Sequence, residues 1–194
     1  MIKRPALFWI DVGVKAALIG LLLFGVLAPD LPQFEGKAWL GRALAYPISA
    51  LIVPVGWWLV CRRRGRRVPY PYAMDILVVL PFLIDTAGNA ANLYDTIDWW
   101  DDANHLVNWF LHTAAIGLLL RLGPWGTATR AALAVGWAAT TAILWELAEY
   151  VAFVPDSPEA VTAYADTLGD LGLGLIGGTV AAILVSRLPA TSRS

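Results

Sequence analysis

The chain is 194 residues long, 58% hydrophobic and 15% charged, with ten tryptophans and a formal net charge of −1. A typical soluble domain is roughly 45–50% apolar and about 25% charged, so these proportions exclude an ordinary soluble core and indicate an all-α, polytopic membrane protein. The single cysteine, Cys61, excludes an intrachain disulfide and a cysteine-based zinc site.

A membrane-spanning helix needs about 20 mostly apolar residues. Six segments qualify, at about 6–28, 39–60, 70–92, 103–121, 128–151 and 165–187. The chain reads as one integral membrane domain, 1–194, in which two N-terminal helices (1–68) precede a four-helix core (69–188). The first segment follows Lys3 and Arg4 and resembles a signal peptide, but Asp11 and Lys15 lie inside it. Signal h-regions are normally uncharged, so retention as a membrane helix is expected. Asp11 and Lys15, spaced i, i+4, are expected to neutralise each other, with Asp75 placed to join them.

The second segment carries Arg42 near its start, without a local partner and able to pair with the acidic cluster or to receive a phosphate or carboxylate, and ends in the run RRRGRR, beginning at Arg62. Lys3, Arg4, Arg62–Arg67, Arg121, Arg130, Arg187 and Arg193 all fall on one side of a six-span chain. Positive charge favours the cytoplasm, which places both termini inside. The arginine run reads as a topology anchor touching anionic headgroups. No signature of a nucleic-acid module accompanies it, so no nucleic-acid partner is expected. Trp39, Trp99 and Trp100 at one interface and Trp9, Trp57, Trp58 and Trp125 at the other suit the headgroup level.

The remaining helices bring ionisable residues to the opposite, outer side. Asp85, Asn89 and Asn92 share one face of the third helix at i, i+4, i+7, and Pro81 below them is expected to open room beside Asp85. Asp101, His105, Asn108 and His112 form a stripe on the fourth. Glu146 and Glu149 follow on the fifth, and Asp166 and Asp170 on the sixth. At about 1.5 Å rise per residue, these fall into two layers. The upper holds Asn89, His105, Glu149 and Asp166, and the lower holds Asp85, His112, Glu146 and Asp170. Buried carboxylates this close need a cation, a proton or an arginine. A divalent metal ion (zinc, manganese or iron) held by His nitrogen and carboxylate oxygen answers that need. The plainer reading is that these groups hydrogen-bond the bundle together. Gly174 and Gly178 form a small-xxx-small pair, which reads as tight helix packing or dimerisation.

The order Asp101-x-x-x-His105, then Trp145-Glu146-x-x-Glu149, then Asp166-Thr167-x-x-Asp170 with a Gly-rich continuation resembles the YjdF-type inner-membrane proteins. More distantly it resembles the VanZ-like family. The resemblance covers roughly residues 85–178 and implies a polar site formed by the His, the Glu pair and the Asp pair. VanZ-like proteins are associated with glycopeptide (teicoplanin) resistance, which implies a role at the cell envelope. Leu106 stands where the family tends to have Phe, and Asn108 and His112 add polar groups beyond the shared pattern.

Three functions compete. The first is a metal-dependent hydrolase in a bacterial-type inner membrane, acting on a lipid or lipid-linked envelope substrate at the outer leaflet. In it His112, Asp85, Glu149 and Asp166 ligate metal, and Glu146 or Asp170 acts as base. Asp101 orients His105, while Arg42, Asn89 and Asn108 bind substrate, Arg42 through a headgroup phosphate. The second is a proton- or cation-coupled transporter or sensor. The third is a non-catalytic envelope scaffold that docks partners through NLYDTIDWWDDAN. No phosphate-binding Gly-rich loop, Ser/His/Asp order or dinucleotide fingerprint is present. Oligomeric state is not legible.

Overall fold

A computed structural model describes residues 4–34, 37–152 and 158–189. The described residues are helical: α1 (Arg4–Leu27), α2 (Trp39–Arg64), α3 (Tyr72–Ala90), a one-turn α4 (Leu93–Thr96), α5 (Trp100–Leu120), α6 (Thr127–Ala152) and α7 (Ala163–Ser186). Two 3-10 turns, Pro32–Phe34 and Pro158–Val161, precede α2 and α7. Five helices, α1, α2, α3, α6 and α7, are long and apolar enough to cross a membrane. The sixth long helix, α5, has 21 residues but carries the Asp101–His112 polar stripe, which lowers its mean hydropathy.

Apolar side chains point outward as well as inward. Leu27 is 80% exposed, Leu44 70% and Val151 81%. Such a surface is stable only against lipid or another apolar partner. Within the bundle, α3 packs against α1, α2 and α5, while α7 packs against α5 and α6. Leu18, Leu22, Phe34, Trp39, Tyr46 and Val79 form one core. Trp39, expected at the interface, is instead buried in that core against Phe34, with ring centroids 4.4 Å apart. Gly25 permits this: a Cβ there would meet the Trp39 ring.

The α5–α7–α6 contact is built on small residues. Gly177 faces the Leu106 backbone, Gly174 the Trp109 ring and Gly178 the Ala138 methyl. Lipid tails are as apolar as leucine, so close backbone approach is what drives helices together in a bilayer. The glycine stripe therefore packs inside the bundle.

The basic end is ordered by carbonyls at the end of α7. Arg130, buried at the start of α6, donates to the Ser186 carbonyl at 2.7 Å, and Arg121 donates to the Pro189 carbonyl at 2.6 Å. Cations are favoured at helix C-termini, where backbone carbonyls lack partners. In the same half of the bundle, Lys15 pairs with Asp11 at 3.3 Å and with Asp75, which also accepts from the Tyr70 hydroxyl. The expected three-residue cluster is thus formed.

α3 ends two residues earlier than expected. Asn92 leaves the helix in the left-handed region (φ 57°), a conformation that Asn tolerates, and does not extend the Asp85/Asn89 face.

Candidate functional site

At the end of the bundle opposite the arginine run, the N-terminal ends of α2, α5 and α7 and the C-terminal ends of α3 and α6 surround a cavity of about 300 Å³. All eleven residues singled out from the sequence line it: Arg42, Asp85, Asn89, Asp101, His105, Asn108, His112, Glu146, Glu149, Asp166 and Asp170. The cavity divides into two regions of different chemistry.

The first region is a closed network around Asp85. Its carboxylate accepts from Arg42 Nε at 3.0 Å, Tyr46 Oη at 2.7 Å, Tyr94 Oη at 2.9 Å and Asn89 Nδ2 at 3.2 Å. Two carboxylate oxygens offer about four acceptor sites, so Asp85 is saturated. Arg42 is equally committed, its NH1 donating to the Lys37 carbonyl. The Lys37 carbonyl is presented by a turn in which Ala38 adopts φ 50°. Tyr94, on the short α4, is pushed above the ordinary phenol range by burial and then by the neighbouring Asp85 charge, so it stays a proton donor at neutral pH. Tyr46 is not singled out from the sequence, and Tyr94 reads there only as part of the loop NLYDTIDWWDDAN. Tyr46 lies one helical turn after Arg42 on the same face, and that spacing is the signal for it.

The second region centres on His105, which is 7% exposed. One ring nitrogen, Nε2, lies 3.7 Å from Asp101 Oδ1 and 3.8 Å from Asp170 Oδ1. The other, Nδ1, lies 3.5 Å from Glu146 Oε1. Both Nδ1 and Glu146 Oε1 are buried without a hydrogen-bond partner. Ligating atoms of Asp101, His105 and Asp170 fall within 4.8 Å of one another, as do those of His105, Glu146 and Glu149. Two backbone features hold this geometry: the Gly177 contact beside Leu106 fixes α5 on α7, and Asp101 and His105 share a helix face at i, i+4.

The pairing differs from the two expected layers. His105 meets Glu146 and Asp170, which the depth arithmetic placed one layer lower. Equal residue counts from the predicted helix ends are therefore not equal depths among the long helices around the site. His112 lies between the rings of Phe82 (centroids 5.4 Å apart) and Trp109 (5.6 Å) and hydrogen-bonds the Val78 backbone. Neither His112 nor Asp85 nor Asp166 belongs to a ligand set of the spacing seen around His105. Asp166 is exposed at the cavity wall, one turn from Asp170. Asn108 donates to Asn104 Oδ1 at 3.3 Å, and its own Oδ1 is buried without a partner. Lys37 pairs with Asp95 at 2.7 Å on the rim.

Fold and site together define a helical membrane protein with a polar cavity at one end of the bundle. The chain belongs to a family described as predicted membrane protein (DUF2238), matched over residues 14–191, which include every residue of the cavity. No curated protein and no solved structure matches it.

Proposed function

We propose that the protein is a membrane-embedded, metal-dependent enzyme of hydrolase type, acting on a lipid or lipid-linked cell-envelope substrate at the outer leaflet of a bacterial-type plasma membrane. The observation that carries this reading is His105, buried with four carboxylates at 3.5–3.8 Å or within the same ligand sets. These separations exceed good hydrogen bonds. They approach the distances between ligand atoms around one tetrahedral zinc ion, about 3.3–3.6 Å for bonds of 2.0–2.2 Å. The expected ligand set of His112, Asp85, Glu149 and Asp166 is accordingly reassigned to His105, Asp101, Asp170, Glu146 and Glu149.

Held by these residues, a divalent ion would supply a bound water of lowered pKa. Asp166, in the same cavity and outside the ligand sets, would be the group that takes its proton. Arg42 is committed to Asp85, so the cation offered to an anionic headgroup is Lys37, whose exposed pair with Asp95 exchanges at little cost. The buried Asn108 carbonyl oxygen supplies an acceptor for a substrate hydroxyl.

Orientation supports an outer-leaflet substrate. With the arginine run in the cytoplasm, the cavity lies at the outer face. α5 then serves as a sixth span, its polar stripe turned into the cavity while Leu106, Val107 and Leu119 face outward. Both termini are cytoplasmic in this arrangement. The resemblance to YjdF-type and VanZ-like proteins agrees with an envelope role. Against transport, Asp75 and Asp85 are ten residues apart on α3, about 15 Å. The fully buried Val79 lies between them.

The test is turnover by the purified protein, loaded with zinc or manganese, on bacterial lipid extracts and lipid-linked sugar phosphates. Chelator-sensitive release of a headgroup, lost in Asp166→Asn, is expected. Absence of turnover together with metal flux into proteoliposomes would replace the enzyme with a transporter.

A further inference from the structure

We infer that His105 bridges two divalent cations, one held through Nε2 with Asp101 and Asp170 and the other through Nδ1 with Glu146 and Glu149. The inference rests on the metal-dependent reading above and adds to it a second metal position.

Three observations lead there. The two ring nitrogens face different carboxylates on different helices: Nε2 faces Asp101 of α5 and Asp170 of α7, and Nδ1 faces Glu146 of α6. An imidazole that only hydrogen-bonds or holds a single ion needs acceptors aligned with one N–H and a ligand at the other nitrogen. Here both sides have the same character, a nitrogen opposed by carboxylate oxygens at 3.5–3.8 Å with no hydrogen bond closed on Nδ1.

The second observation is the orphaned pair itself. His105 is 7% exposed and the Glu146 side chain 9%, yet Nδ1 and Oε1 face each other without partners. A buried, unpartnered nitrogen beside an unpartnered carboxylate oxygen is costly unless a proton or an ion joins them. Glu149 completes a three-ligand set with His105 and Glu146, which leaves coordination positions open for water or substrate, as catalytic metal sites require.

The third is charge. Asp101, Glu146, Glu149, Asp166 and Asp170 face this part of the cavity, while the cations lining it, Arg42 and Lys37, pair with Asp85 and Asp95. Against these five carboxylates one divalent ion supplies two positive charges and a pair of ions supplies four, so a second ion lowers the repulsion that burial makes costly. Two-metal sites of this kind clamp the attacking and leaving oxygens of a displacement. Binding the second ion replaces the remaining ring N–H proton, which leaves for solvent, so that ion releases one proton that the first does not.

The test uses the full-length protein, purified without a histidine tag in detergent. Zinc alone is titrated and bound metal counted by mass spectrometry; copper alone is titrated and followed by electron paramagnetic resonance. The wild type is compared with His112→Phe, in which His105 is the one histidine left. Two equivalents are expected in both. The Asp101→Asn/Asp170→Asn and Glu146→Gln/Glu149→Gln variants each retain one. Two copper ions sharing the imidazole couple, so signal per copper falls sharply as the second equivalent binds. A single equivalent in the wild type overturns the bridge and leaves the metal-enzyme reading standing. Two equivalents with uncoupled copper, or two retained in His105→Phe, also overturn the bridge. No bound metal overturns both. The wild-type stoichiometry and coupling decide the matter even where a variant fails to fold.

Discussion

Arg42 and Asp85 form a two-pronged ion pair between α2 and α3, Nε at 3.0 Å and NH2 at 3.5 Å, beneath two tyrosine hydroxyls. This pair joins the N-terminal helices to the core that carries the His105 cluster. Both side chains are largely buried, so removing one partner strands the other charge. Arg42→Met is expected to cost about 3–5 kcal/mol in a denaturation assay. Arg42→Met/Asp85→Asn should lose less than the sum of the single changes, by about 1 kcal/mol or more. Additive losses would show that the pair is not coupled and that Arg42 is free for substrate.

At the basic end, Lys15 is, among the described residues, the one cation paired with two buried carboxylates, Asp11 and Asp75. Lys15→Met leaves them facing each other and is expected to destabilise by about 3–5 kcal/mol. Asp11→Asn relieves the excess negative charge and should change stability by less than about 1 kcal/mol. A thermal-shift assay separates the two. A Lys15→Met protein as stable as wild type would mean that the cluster holds protons in place of the ion pair.

The glycines of α7 divide into two groups. A Cβ at Gly177 meets the Leu106 carbonyl and the Phe110 amide, backbone atoms that cannot rotate away, whereas a Cβ at Gly172 meets nothing. Gly177→Ala should cost about 1–3 kcal/mol and weaken metal binding by shifting Asp170 away from His105. Gly172→Ala should be neutral in both measurements. Equal effects would place the helix contact elsewhere.

Metal should act as a stabilising ligand. Zinc at a hundredfold excess over its dissociation constant contributes about 2.7 kcal/mol, so the melting temperature should rise on addition and fall with chelator. A melting temperature indifferent to both would leave the carboxylates held by protons and hydrogen bonds alone.

Much of this arrangement is legible in the sequence, for identifiable reasons. Long apolar segments interrupted by charges are visible because a bilayer penalises polar groups so strongly, and the Asp101/His105 and Glu146/Glu149 pairs follow from helical periodicity alone. Pairings between helices are not legible. Depth counted from predicted helix ends put His105 level with Glu149 and Asp166; Glu149 does share a ligand set with it, but Glu146 and Asp170, counted one layer lower, lie beside it and Asp166 joins neither set. Arg42 showed no local partner, and of its two readings, pairing with the acidic cluster or binding a phosphate, it takes the first through Asp85, 43 residues away. Trp39 resembled an interfacial residue until the packing space beside Gly25 was known. Hydropathy likewise sets α5 apart from the five candidate spans, because its polar residues line the cavity.

The central claim is that His105, and not His112, holds metal. The most direct measurement is the metal content of the tag-free protein compared with that of His105→Phe and His112→Phe. The account predicts bound metal in the wild type, little change in His112→Phe, whose ring packs between Phe82 and Trp109, and near-complete loss in His105→Phe. Metal retained in a folded His105→Phe protein, or lost in His112→Phe alone, would contradict it.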